Sequence, residues 1–302
     1  MILFIWNLYN KKYQIFITRN LQIINPADIQ LFNLEFNRSP MKFLALTLFI
    51  SIAYLSVAQE NTDSTDLRIK MLSEKYNNNS ISKDETAELR NLIFSIQNKG
   101  FMFDEEKHDF QSALIQTDKA LKIWISIKDT LSEANLRKYK GYLLGHLKSF
   151  TEAELETKKA IALFKKKNFE PGVAVSQHDL SMVFDFENKT DSALYYENIS
   201  NFYWTSVSDT FRIMVSNNQL IHLYRKLKEF EIAAKIQNQS ELLSKSPELH
   251  WNPLINFYYV SYLLYNEMKL KNKASNYLRL FLDKIEILKN EGTIAKSIYE
   301  NQ

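Results

Sequence analysis

The chain has 302 residues, 45% hydrophobic and 13% aromatic, which is ample material for a continuous apolar core. Its formal charge of +3 is concentrated at the start: Lys11, Lys12, Arg19 and Arg38 against Asp28 and Glu35 place two charges in residues 1–40, and Lys42 holds the third. Residues 43–302 are therefore neutral, with no basic excess to displace counterions from phosphate, and the absence of cysteine excludes a disulfide framework, a lipidated cysteine and a thiol nucleophile.

Residues 1–40 show no helical period and end just before Met41. From Met41 the sequence reads MKFLALTLFISIAYLSVAQE: one basic residue, an apolar run from Phe43 to Leu55, then Ser56-Val57-Ala58. That is the pattern of a secretory signal peptide cut after Ala58, and the run is short for an uncleaved membrane anchor. Met41 then reads as the true start, residues 1–40 as an upstream extension outside the native product, and the mature chain as exported, periplasmic or extracellular, with no membrane span. Residues 59–81 form a polar lead-in and a short helix around Leu67–Tyr76, which Asn77-Asn78-Asn79-Ser80 breaks. Ser82-x-x-Glu85 is a capping box opening the next helix.

From residue 82 to 302 the apolar pattern is helical and repeats. In 134–164, Leu136, Tyr139, Leu143 and Leu147 make one amphipathic stripe and Phe150, Ala153, Ala160, Ile161 and Phe164 another, joined at Lys148-Ser149. Phe150-x-x-Ala153 has counterparts at Phe110-x-x-Ala113 and Phe230-x-x-Ala233, and Ala193 and Ala274 stand in the same context. The five alanines are 40, 40, 40 and 41 residues apart, which reads as an array of about five helix pairs. A methyl recurs where two backbones cross closely, and an aromatic three residues earlier fills the wider gap. Turn-like boundaries fall at Lys128–Thr130, Glu170–Gly172, Ser206–Asp209 and from Ser246 to Pro253, and the last helix runs from about Ala274 to Asn290 before Gly292.

This alternation of small and large residues resembles the tetratricopeptide repeat. The matches are Gly141, Leu144, Phe150, Ala153 and Ala160 in one unit; Leu180, Ser181, Phe184, Ala193 and Ser200 in the next; and Leu220, Tyr224, Phe230, Ala233 and Ser240 in the third. The resemblance implies an all-α fold, an α-solenoid of stacked antiparallel helix pairs. The period of 40 exceeds the family's period of about 34, so helices or turns are expected to be longer. No unit carries the family's proline. Phe101 and Tyr262 stand where small residues are expected and Lys271 where an aromatic is, as end units that cap the stack would allow. HEAT-type repeats of similar length are the alternative.

Five glycines form no phosphate-cradling cluster, and neither a zinc-protease helix motif nor a nucleophile elbow occurs. The reading is a protein that is not an enzyme and uses neither cofactor nor metal. The resemblance implies that helix A of each pair lines a concave groove. Carried over residue by residue, that groove presents Lys138, Tyr142 and His146; His178, Met182 and Asp185; Asn218, His222, Arg225 and Lys226; and Tyr259. Aromatic walls and cationic tips of this kind suit an extended peptide or protein partner. Two functions follow from the resemblance: an exported scaffold, or the periplasmic sensor or input module of a signalling protein, truncated or working with a separate membrane partner. The oligomeric state is left open.

Overall fold

The computed structural model describes residues 64–290, apart from Glu248 and the side chains of Glu105, Glu106 and Lys107. The upstream extension, the signal peptide, most of the lead-in, and Gly292 with the tail beyond it lie outside the described residues. Within them the chain is all-α. Eleven helices follow one another: α1 (64–77), α2 (Lys83–Lys107), α3 (Phe110–Ser126), α4 (Thr130–His146), α5 (Phe150–Lys166), α6 (Glu170–Phe186), α7 (Thr190–Ser206), α8 (Thr210–Lys226), α9 (Phe230–Leu243), α10 (Trp251–Glu267) and α11 (Lys271–Asn290). From α2 onward they pair as five antiparallel hairpins, each packed on the next.

The long period comes from the helices. Each helix from α3 to α8 has 17 residues. The turns between them have three, centred on Lys128, Lys148, Asn168, Asn188 and Ser208, all with left-handed φ between 52° and 62°. At each turn the amide two residues past the helical cap bonds the carbonyl five residues back, as from Asp129 to Trp124 (3.1 Å), Ser149 to Leu144 (2.9 Å) and Lys189 to Phe184 (2.8 Å). The amide of the left-handed residue itself bonds the carbonyl three back, the double closure of a Schellman motif. Orphan carbonyls are thus satisfied without a glycine. At the other end of the helices, Asp109, Asp129 and Asp209 accept from the amides of Ser112, Ser132 and Arg212. Ser82 and Glu85 form the expected capping box.

The five recurring alanines occupy one structural position, the fourth residue of the second helix of each hairpin, and none is more than 4% exposed. Opposite two of them sit glycines. A Cβ on Gly141 would lie 3.1 Å from the Ala153 carbonyl, and one on Gly100 would lie 3.3 Å from that of Ala113. The small residue of the first hairpin is therefore Gly100. Phe101, the residue the repeat spacing selects, stands one place off because α2 reaches its partner through a shorter connection, with left-handed His108 directly after Lys107. The 41-residue step to Ala274 has a similar origin: α9 stops after 14 residues and a longer connector, 244–250, leads to α10. Pro171 and Pro253 lie within the first turns of α6 and α10, where the missing N–H has no helical partner to lose.

The core is a series of clusters between hairpins. Ile69 and Leu72 of α1 pack with Leu89, Ile93 and Trp124 and close the apolar side of the first hairpin. Phe164 and Val173 mark the next junction, Leu180, Phe184 and Leu223 another, and Phe257, Tyr265 and Tyr277 the last. Among the described residues no helix is long and apolar enough to cross a membrane.

Candidate functional site

The first helices of successive hairpins, α4, α6, α8 and α10, carry every residue assigned to the groove. Where like helices of neighbouring hairpins touch, it is these: α4 meets α6 and α8 meets α10. Side chains along their shared face consequently reach across hairpin boundaries.

The cations on this face are held by acids of neighbouring helices. Lys138 on α4 lies 3.4 Å from Asp179 on α6. Asp185, near the end of α6, receives His222 Nε2 at 3.0 Å and Lys226 Nζ at 2.6 Å, both from α8. Lys226 also reaches the Asp185 carbonyl (3.3 Å) and Asn188 (3.4 Å). Arg225 on α8 pairs with Glu267 on α10, and its second terminal nitrogen lies 3.2 Å from His222 Nδ1. Burial alone would raise the Asp185 carboxyl, but the hydrogen bonds and charges of His222 and Lys226 outweigh it and hold the group at about 2. An ion-pair ladder therefore runs along the face, and it fixes the spacing of the helices rather than leaving bare positive charge.

His178 and Asn218 turn into junctions. His178 Nδ1 lies 3.0 Å from both carboxylate oxygens of Glu197 on α7. Asn218 is buried and donates to the Pro253 carbonyl on α10 at 2.9 Å.

The rest of the set is aromatic or apolar and half open. His146 stacks on Phe110 with centroids 4.4 Å apart and planes 10° apart, meets Tyr142 edge-on at 4.5 Å and approaches Phe186 at 5.2 Å. Burial lowers the His146 pKa, a shift that Asp104 opposes and His108 reinforces, so the ring behaves as a neutral aromatic at pH 7. Tyr139 extends the cluster to Phe101 at 4.6 Å and donates to Asp104 at 2.9 Å. Met182 is half-buried. Tyr259 is 44% exposed and leans on Phe281 at 5.3 Å. Among the described residues no group of three His, Cys, Asp or Glu side chains is placed to hold a metal ion. A shallow cleft of about 630 Å³ lies between α5 and α7 and is lined by Glu154, Lys158, Lys189, Tyr195 and Tyr196.

Residue-type reasoning selected the cations but missed the acids that hold them: Asp179, Glu197 and Glu267. The signal was present as an offset. Lys138 to Asp179 and Asp185 to Lys226 are each one repeat plus one residue apart, and His178 to Glu197 spans 19 residues, from one helix of a hairpin to the other.

No family model matches the chain and no curated protein matches it. Solved structures do. The crystal structure of BtubC (BKLC) from P. vanneervenii superposes with a TM-score of 0.57 at 14% identity, over 75% of this chain and 90% of that one. Two structures of the nearly identical TPR-like repeats of a putative kinesin light chain from Podosopora anserina give 0.53 at 12% identity and 0.51 at 11%. They cover 66% and 67% of this chain and 96% and 97% of theirs. At these identities the likeness shows the fold alone: a tetratricopeptide-like array of stacked helix pairs.

Proposed function

We propose that this chain is an exported, non-catalytic scaffold that binds a peptide or protein along the face formed by α4, α6, α8 and α10. The observation that carries the reading is the ladder Lys138–Asp179, Asp185–Lys226 and Arg225–Glu267. It sets the helices of four successive hairpins in fixed register, and a face ordered in advance loses less entropy when a partner docks. Between the rungs, Tyr142, His146, Met182 and Tyr259 offer aromatic and apolar contact, with hydrogen-bonding groups beside them. Export rests on the pattern of residues 41–58.

Site-specific photo-crosslinkers test the binding face in the native envelope. Placed at Tyr259 and Met182 they give a discrete adduct; at Phe202 and Leu242, 77% and 72% exposed on the second helices, they give none. Adducts from Phe202 and Leu242 alone would move the interaction to the opposite side. Sequencing the natural protein's N-terminus tests export: a mature chain beginning at Gln59 supports it, and an intact chain beginning at Met1 in the cytoplasm overturns it.

A further inference from the structure

One column of the array is polar yet buried. In the second helices of the first four hairpins, the residue four places after the recurring alanine is Thr117, Thr157, Glu197 and Gln237, each no more than 1% exposed. Two of the neutral members, Thr157 and Gln237, are hydrogen-bonded without a charge. The Thr157 hydroxyl donates to the Ala153 carbonyl at 2.9 Å, and Gln237 accepts from Tyr265 and donates to Tyr277, both at 2.6 Å. Glu197 alone places a carboxylate there, and a charge in such a position is stable only if it is paired and hydrogen-bonded.

Its partners come from both sides of a hairpin boundary. His178, on α6 of the same hairpin, faces both carboxylate oxygens at 3.0 Å. Ser216, on α8 of the next hairpin, donates to Oε1 at 2.5 Å. At this boundary α6 and α8 do not approach as closely as α4 and α6 or α8 and α10 do, so polar side chains span the gap. Beside them is a cavity of about 10 Å³ lined by His178, Ser200, Trp204, Arg212 and Ser216, room for roughly one water.

We infer that His178, Glu197 and Ser216 form a protonation-dependent joint that holds the third and fourth hairpins together while the imidazole is charged and loosens when it loses its proton. A neutral imidazole can still donate from Nδ1, but it no longer balances the buried carboxylate. The charged groups facing His178 are Glu197 on α7, Asp179 beside it on α6 with its own partner Lys138 on α4, and Arg212 on α8. Burial and Arg212 lower the His178 pKa; the Glu197 charge and hydrogen bond, helped by Asp179, outweigh them and leave it raised above 6.5. A raised folded-state pKa gives stability that is full below the unfolded value and is lost as pH rises through the folded one. The joint therefore weakens on the alkaline side of about pH 6.5, in the direction opposite to acid unfolding. This holds whatever the array binds.

The test is an imidazole titration by NMR together with amide exchange, corrected for the intrinsic pH dependence of exchange. His178 should titrate above 6.5 in the wild-type chain and fall in Glu197→Gln, which copies the neutral Gln237. Protection of α6–α8 amides should drop as pH rises, about tenfold for each unit by which the folded pKa exceeds the unfolded one, and should be flat in Glu197→Gln. His178→Gln, which cannot charge, should show the loosened α6–α8 at every pH. A wild-type His178 titrating at or below 6.5, or an α6–α8 pH profile shared by wild type and Glu197→Gln, overturns the inference. If both variants unfold, the wild-type titration decides alone.

Discussion

Adding one methyl to Gly141 tests the packing argument most directly. A Cβ there would sit 2.1 Å from Thr157 Oγ1 and 3.1 Å from the Ala153 carbonyl. The carbonyl is backbone and cannot retreat without moving α5. The Thr157 hydroxyl is fully buried and bonds that same carbonyl, so swinging it away leaves a buried polar group unsatisfied. Replacing Gly by Ala inside a helix contributes about 1 kcal/mol of stability. Against this stand about 1–3 kcal/mol for overpacking and about 1–3 kcal/mol for the orphaned hydroxyl. Clash and lost bond win, for a net loss of about 1–5 kcal/mol, or about 2–20 °C in Tm for an array of this size. Gly100→Ala is the internal control. Its Cβ would meet Ala113 O at 3.3 Å, Gln116 Cβ at 3.4 Å and Thr117 Oγ1 at 3.5 Å, so the propensity gain survives and Tm holds or rises. Thr157→Ala on the Gly141→Ala background should restore most of the loss. Thermal melts of the four proteins by circular dichroism decide the matter: a Gly141→Ala melting point at or above wild type, or a Gly100→Ala loss of equal size, would refute the reasoning.

Three further outcomes follow from the same structure. Lys148→Gly and Lys228→Gly, both at φ 61°, should each raise stability by about 0.5–1 kcal/mol in urea melts, more than Asn168→Gly or Asn188→Gly, because asparagine tolerates the left-handed region and lysine does not. Ala153→Leu should cost about 1–3 kcal/mol by forcing α4 and α5 apart. Asp185 has a depressed folded-state pKa, so its contribution is present above about pH 4 and is lost as pH falls toward 2. Asp185→Asn should flatten the decline in stability between those values relative to wild type.

The regularity of the fold was legible because it is carried by single residues. A methyl at the alanine column and a serine–glutamate pair at 82 and 85 have only one economical use each, and both are found in it. Phe101 misled because the period counts residues, whereas the crossing point depends on how α2 is joined to α3, a difference of one place that only the turn reveals. The helices that carry the candidate face were legible in outline, with eleven candidate side chains on four of them. Which of them meet an acid was not, because the pairings join positions 41 or 42 residues apart and depend on the angle between hairpins, a quantity no single helix encodes. Glu197 is the instructive case. A glutamate on a helix ordinarily marks solvent, and only its alignment with Thr157 and Gln237 places it in the interior.

The left-handed turns also bear on how such a chain changes length. Between residues 128 and 208 every twentieth residue closes the same bonded loop, so any two cuts forty apart expose matching ends. Copying or deleting the segment between them would rejoin helix to helix without a seam, and the molecule could gain or lose one rung with its remaining boundaries intact.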